Sequence, residues 1–232
     1  MVQKQMLVSI IIPVYNEELT VGNVIERVKT IMQQTGLKYE VIVVDDYSAD
    51  KSFMVAKKYG VRVYRLKMHL GKGYGLRAGF AKAEGDVIVT IDSDGSHRPE
   101  ELPRVLTPIL QNQADLVIGS RYLKQKDVAA RKLNAFGVQI FNFLIQMLTG
   151  VAVTDSQSGY RAMKRAVLKN QQLKSGGYEI ESEILVKTAK EDFRVVEVPI
   201  SFEQRTYGRS GVDPVNDGFK ILLSILIAYL KG

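Results

Sequence analysis

Continuous apolar runs alternate with amphipathic stretches through the first half of the chain. Residues 7–14, LVSIIIPV, form such a run and end in a turn, which predicts a buried strand. Val21, Val24, Ile25, Val28, Ile31 and Met32 then recur at helical spacing, and Gly36 marks the stop. YEVIVVDD, 39–46, predicts a second strand, residues 50–59 a short helix, and Val61 to Leu66 a third strand. Gly71 to Ala83 reads as a helix with a Gly-rich start, and DVIVTIDSD, 86–94, as the next strand. Pro99 opens a helix with Leu102, Val105, Leu106 and Ile109 on one face. DLVIGSR, 115–121, predicts another strand. Continuous apolar strands alternating with helices imply an α/β fold, its parallel sheet covered on both faces. Ligands of such sheets bind beyond the carboxyl ends of the strands. Asn16, Asp45, Asp46, Asp92 and Asp94 all fall at those ends.

The second half has a different texture. Residues 121–132 carry five basic side chains and one acidic, and 133–154 carry no charge at all. Asn134, Gln139, Asn142 and Gln146 recur at roughly helical spacing, predicting an amphipathic helix with a wide apolar face over 133–149. Two readings stand: a core helix, or a helix in the membrane interface with the preceding basic residues on lipid head groups. ILLSILIAYL, 221–230, lies between Lys220 and Lys231 and is shorter than the about 20 residues a span needs. It docks in the interface or on a partner, or begins a span. The expected division is a catalytic domain over 1–211 and an amphipathic helix over 212–232, facing a membrane or a partner.

Composition narrows the chemistry. The 232 residues include no cysteine and two histidines, which excludes thiolate sites and argues against zinc. A metal here needs oxygen ligands, as magnesium and manganese do. The net charge of +7 points to an anionic partner: nucleic acid, a membrane surface or a phosphorylated substrate. The basic residues adjoin an apolar helix rather than an interleaved aromatic platform, so no nucleic acid is expected. The start, MVQKQMLVSIII, lacks the shape of a signal peptide. A cytoplasmic protein peripherally associated with the membrane is the expectation.

Seven motifs follow in order: PVYNEE (13–18), VVDDYSADKS (43–52), GKGYGLRAGF (71–80), DSDGSHRPEEL (92–102), GSRY (119–122), DSQSGYRAMKR (155–165) and QRTYGRS (204–210). Together they resemble the family 2 glycosyltransferases with the GT-A fold, and most nearly the polyprenyl (dolichyl) phosphate mannosyltransferase branch. The resemblance covers nearly the whole chain. It implies one Rossmann-like nucleotide-sugar-binding domain with a mostly parallel central sheet flanked by helices. It implies an inverting transfer of a hexose to a lipid phosphate, with GDP-mannose and dolichyl phosphate the usual pair. A UDP-glucose or other hexosyl donor is the alternative, as is a degenerate scaffold of a membrane complex. Some members continue into transmembrane helices, and a separate membrane subunit is a further possible partner.

The resemblance also assigns roles. Pro13, Tyr15 and Glu17 match the base pocket, and Asp45 the nucleotide contact, while Asp46 or Ser48 caps the next helix. Read alone, PVYNEE is equally a turn with Asn16 as helix cap. Lys72 is a candidate diphosphate contact, although the glycines around it serve close packing as well as phosphate binding. Asp94 matches the direct ligand of Mg2+ or Mn2+, with Asp92 nearer the ribose or sugar and counted with it among the metal and catalytic residues. The mannosyltransferases often carry glutamine near the metal where Ser96 stands here. Arg121, Arg161, Arg205, Arg209 and Ser210 match phosphate-binding positions, with Arg205 also catalytic. An arginine fork suits phosphate oxygens. A phosphate acceptor carries about −1.5 to −2 charges at neutral pH and needs no general base. His69 and His97 read as solvated or structural.

Overall fold

The computed structural model describes residues 6–123, 132–169, 171–203, 205, 207, 211 and 213–231, and side chains within 132–136 are not described. Seven strands form one sheet in the order β3-β2-β1-β4-β6-β5-β7. The strands are β1 Leu7–Val14, β2 Lys38–Asp45, β3 Arg62–Arg65, β4 Val87–Thr90, β5 Leu116–Ser120, β6 Arg161–Lys164 and β7 Val195–Pro199. All neighbours pair in parallel except β6, which runs antiparallel to both β4 and β5.

The continuous apolar runs are explained by burial on both faces. Val8, Ile10, Ile12 and Val14 of β1 point into one core, with Val21, Val24, Ile25 and Val28 of α1 (Val21–Thr35) and Leu102, Val105, Leu106 and Ile109 of α4 (Leu102–Leu110). Ile11 points the other way, into a second core with Leu76 of α3 (Lys72–Lys82) and Ile180, Ile184 and Leu185 of α7 (Ile180–Lys190). Gly36 ends α1 at φ 69°, a left-handed position that glycine adopts without a Cβ penalty. The short α2 spans Ser52–Lys57 and α6 spans Arg165–Lys169.

β4 is shorter than the pattern predicts. Its last sheet bond is Ile91 N to Ile11 O, at 3.2 Å, and Gly95 (φ 77°) turns the chain. Asp92 and Asp94 therefore ride on a tight loop. β6, α6, α7 and β7 lie in a stretch where the pattern predicts no element, because β6 and α6 are only four and five residues long.

α5 (Lys132–Thr149) and α8 (Asn216–Lys231) lie on the second core. Val138, Phe141 and Ile145 of α5 and Ile221, Ile225 and Ala228 of α8 are buried. Their outer faces stay apolar: Ile140, Phe143, Met147, Phe219, Leu223, Leu226 and Leu230 are exposed. The core reading of 133–149 holds for one face of α5, and its other face is apolar and exposed. No helix among the described residues is long and apolar enough to cross a membrane.

Candidate active site

The chain runs β1, β2, β3 outward, then returns to β4 on the other side of β1. That reversal opens a crevice at the carboxyl ends of β1 and β4, where α/β folds bind ligands. Glu17 follows β1, Asp45 ends β2, Asp92 and Asp94 follow β4, and Arg121 follows β5. β6 runs backwards, so its first residue, Arg161, pairs with Thr90 at the same edge. Arg205 reaches this edge from beyond β7, ion-paired to Glu17 and 3.7 Å from Asp94 Oδ2.

One end of the crevice is aromatic. Tyr15 is exposed and stacks on His69, with ring centroids 3.9 Å apart and planes at 19°. Asp46 holds the His69 loop: its carboxylate accepts from the backbone N–H groups of Leu70 and Gly71 at 2.8 and 2.7 Å and lies 2.8 Å from His69 Nδ1. Neither Asp46 nor Ser48 caps α2. Ser48 instead accepts from Asn16 N, and Asn16, at φ 54°, lies well before α1 rather than capping it. Asp45 is fully buried. Its Oδ2 takes Ser48 N and Arg65 Nε, while its Oδ1 has no hydrogen-bond partner among the described residues. A buried, unsatisfied acceptor at a strand end is poised for a ligand N–H or O–H. Glu17 is buried, and burial raises its pKa against the hydrogen bond from Thr20 and the Arg205 charge. Pro13 is half-buried behind it, its Cβ facing Gly75 of α3.

The middle of the crevice is ionic. Lys72 Nζ lies 2.7 Å from Asp92 Oδ1 and 2.9 Å from Glu181 Oε1. Burial alone would raise the Asp92 pKa, but the Lys72 ammonium and its hydrogen bond win and hold it at about 2. His97 is buried with its Nδ1 3.5 Å from Asp92 Oδ2, its ring against Tyr160 and Phe202. Burial lowers the His97 pKa, which keeps the ring neutral at pH 7.

Asp94 is about as open as Asp92, with side-chain exposures of 23% and 26%. Its Oδ1 accepts from Ser96 N and Ser96 Oγ at 3.0 and 2.7 Å. Oδ2 faces Arg205. Ser96, expected beside the metal, is itself buried and donates its hydroxyl to Asp94, so it orients that carboxylate rather than offering a ligand.

The arginines separate. Arg161, expected at a phosphate, is buried, and its guanidinium donates to the backbone carbonyls of Ser158, Glu181 and Ser156 at 2.8, 2.6 and 2.7 Å. It pins the 155–160 loop to α7 and has no face left for a ligand. Arg121 makes a two-pronged pair with buried Asp155, at 2.7 Å on each prong. Arg205 remains in the crevice. Arg209 and Ser210 lie outside the described residues.

The glycines of GKGYGLRAGF serve packing. A Cβ on Gly73 would meet Ser175 O and Gly176 C at 2.6 Å, and one on Gly79 would meet Ile11 Cγ2 at 2.5 Å. Gly176 O also accepts from Tyr74 N, so a backbone carbonyl already occupies part of the α3 N-terminus that a phosphate would use.

Residues 9–171 match the family described as glycosyl transferase family 2. The chain belongs to that family. It is 36% identical over 214 residues to a dolichol-phosphate mannosyltransferase of Pyrococcus furiosus, covering 88% of this chain but 59% of the relative. It is 31% identical over 247 residues to a UDP-N-acetylglucosamine–dolichyl-phosphate N-acetylglucosaminyltransferase of Methanococcus voltae, with 95% of each covered. The fold is shared with glucosyl-3-phosphoglycerate synthase of Mycobacterium tuberculosis, solved with Mn2+, UDP and phosphoglyceric acid: TM-score 0.77, 23% identity, 96% of this chain and 78% of that one. The family is one of glycosyltransferases, and its α/β sheet is the mostly parallel, helix-flanked one seen here.

A metal in this family 2 site would draw little from the protein. No cluster of three or more His, Cys, Asp or Glu side chains among the described residues forms a cage. The Asp94 carboxylate fits the other mode, in which a hard cation takes one or two carboxylates and completes its shell with substrate phosphates and water. Two residues of this site, His69 and Glu181, belong to none of the sequence assignments, while Asp155, a candidate in sequence to orient the sugar or a basic residue, pairs with Arg121. His69 reads as solvated until its stack on Tyr15 is seen. Glu181 sits in an acidic helix start that carries no motif. Asp155 lies in a quoted motif, but its partner is 34 residues away.

Proposed function

We propose that this family 2 enzyme transfers a hexose, with inversion, from a nucleotide sugar to the phosphate of a polyprenyl (dolichyl) lipid, with mannose from GDP-mannose the first donor to test. The observation that carries the reading is the Asp94 carboxylate, oriented by Ser96 and facing Arg205 across the β1/β4 crevice. It provides a metal ligand and a phosphate-binding cation within one crevice, and no base is required of either. The names of the two relatives support the lipid phosphate acceptor.

In this reading Tyr15 stacks on the base, Asp45 Oδ1 and Glu17 accept its polar hydrogens or those of the ribose, and Asp92 faces the ribose or sugar. Asp94 holds a Mg2+ or Mn2+ ion, which supplies Lewis-acid stabilisation to the departing nucleoside diphosphate. Arg205, with Arg209 and Ser210, binds the acceptor phosphate. Arg121 is the reserve cation, its charge directed toward Asp155 until a ligand competes. An acceptor phosphate oxygen forms a bond to the anomeric carbon as the bond from that carbon to the diphosphate breaks on the opposite face. The attacking oxygen carries no proton, so none has to be removed.

The exposed apolar faces of α5 and α8 dock on the membrane in this reading, with Lys220 and Lys231 toward the lipid head groups. The enzyme is then cytoplasmic and peripheral, and a membrane subunit is a further candidate partner. A uridine donor is the second reading, favoured by the M. voltae relative, which is named for UDP-N-acetylglucosamine.

Incubation with labelled GDP-mannose, UDP-glucose or UDP-GlcNAc, a short polyprenyl phosphate, and Mg2+ or Mn2+ tests this. Labelled lipid phosphate is expected with one donor, and Asp94→Ala lowers turnover at least about a hundredfold. Undiminished Asp94→Ala activity would refute the metal assignment, and transfer only to hydroxyl acceptors the base-free mechanism.

A further inference from the structure

Lys72 faces away from the role its motif suggests. Its ammonium bridges two carboxylates, Asp92 at 2.7 Å and Glu181 at 2.9 Å. Exposure falls along that line. The Asp92 side chain is 26% exposed, Lys72 16% and Glu181 4%. Asp92 is the most open of the three and Glu181 is almost fully covered, so Glu181 acts on a ligand through Lys72 and Asp92.

The arrangement is costly: neither Glu181 oxygen makes a hydrogen bond among the described residues, and Lys72 meets it as an ion pair. Two carboxylates and one ammonium sit largely out of water, where apolar side chains of similar volume would often stabilise the fold as well or better. Glu181 stands in the first turn of α7, where the helix dipole favours its charge. Lys72 opens α3, and the loop ahead of α7 is tied to the start of α3 by Tyr74 N donating to Gly176 O. The third wall is Gly159. A Cβ there would lie 2.7 Å from Lys72 Nζ and 2.8 and 2.9 Å from the Asp92 oxygens. Thr90 Oγ1 fixes Gly159 by donating to its carbonyl at 2.7 Å.

We propose that Glu181 and Lys72 are positioning residues: a charge clamp that fixes the Asp92 carboxylate in one orientation toward the donor. Lys72 is then no diphosphate ligand. The proposal rests on the reading that Asp92 faces the donor's ribose or sugar. Misplacing such a group by about 1 Å costs on the order of a hundredfold in rate.

Glu181→Gln tests it, since it keeps the volume and removes the charge that holds Lys72. The readouts are consumption of the nucleotide sugar, with lipid phosphate or with water as acceptor, and nucleoside diphosphate affinity by calorimetry. Glu181→Gln is expected to lower kcat about tenfold or more while the diphosphate Kd stays within about twofold. Lys72→Arg, which keeps the charge, retains more activity than Lys72→Met, and melting curves identify any variant that fails to fold. If Glu181→Gln turns over like the unmodified enzyme, the clamp is refuted. If Lys72→Arg weakens diphosphate binding in step with kcat, Lys72 belongs on the diphosphate and the proposal is overturned. Transfer by the unmodified enzyme to another acceptor would refute the lipid phosphate and leave the clamp standing.

Discussion

The two halves of the molecule contribute different things to one crevice. The first, β1 through β5, supplies groups that can face a ligand: Tyr15, Asp45, Asp92 and Asp94. The second, α5 through α8, supplies mostly groups that face the first half. Glu181 holds Lys72, Asp155 holds Arg121, and Lys164 and Arg194 hold Asp115, while Arg161 ties the 155–160 loop to α7 within the second half. Arg205 bridges the two, touching Glu17 and Asp94. The cations beside the strand-end carboxylates come from both halves, Arg65 and Lys72 from the first and Arg205 from the second, and the second half's Glu181 and Asp155 hold Lys72 and Arg121 in place.

The largest effect in this contrast belongs to a residue expected at a phosphate. Arg161→Met is expected to destabilise the fold by about 3 kcal/mol or more, because three carbonyls lose their donor inside the protein. A urea titration measures it. A loss of activity with unchanged stability would return Arg161 to the ligand and blur the division between the halves.

An intermediate effect comes from acid. Side-chain hydrogen bonds from Arg194 and Lys164 outweigh burial and hold the Asp115 carboxyl well below its usual range, and Lys72 holds Asp92 at about 2. For a depressed acid, the stabilisation is complete above the unfolded pKa, about 4, and is lost as pH falls through the folded value. Stability should therefore decline from about pH 4 downward. Arg194→Met should flatten part of that decline, as read from urea midpoints at several pH values. An unchanged acid slope in Arg194→Met would remove Asp115 from the seam between the halves.

The smallest effect on stability is expected at the outer apolar faces. Phe143→Ser with Phe219→Ser should change stability by less than about 0.5 kcal/mol per site, since both side chains are exposed. The same pair should weaken sedimentation with anionic vesicles. Unchanged vesicle binding would remove α5 and α8 from the membrane reading.

Much of the first half was legible because buried parallel strands announce themselves. LVSIIIPV and YEVIVVDD read as strands with polar ends, and those ends line the β1/β4 crevice. Helix α1 showed its face and its glycine stop. The second half was less legible for a physical reason. β6 is four residues long and antiparallel, and its register with Thr90 is set by a partner more than 70 residues away. Arg161 and Arg205 look alike in sequence, each near a glycine and a tyrosine. Burial separates them, and no local pattern encodes burial of an arginine.

The sequence by itself determined the α/β class, the family and the set of acidic strand ends, because these depend on hydrophobic period and on motifs in order. Only the tertiary structure decided which charges face a ligand and which face each other. Ser96 turned to Asp94, Arg161 to backbone carbonyls, and Lys72 to Glu181 as well as Asp92. An ion pair forms wherever two charges are brought within a few ångströms, and that distance is set by packing between elements far apart in the chain.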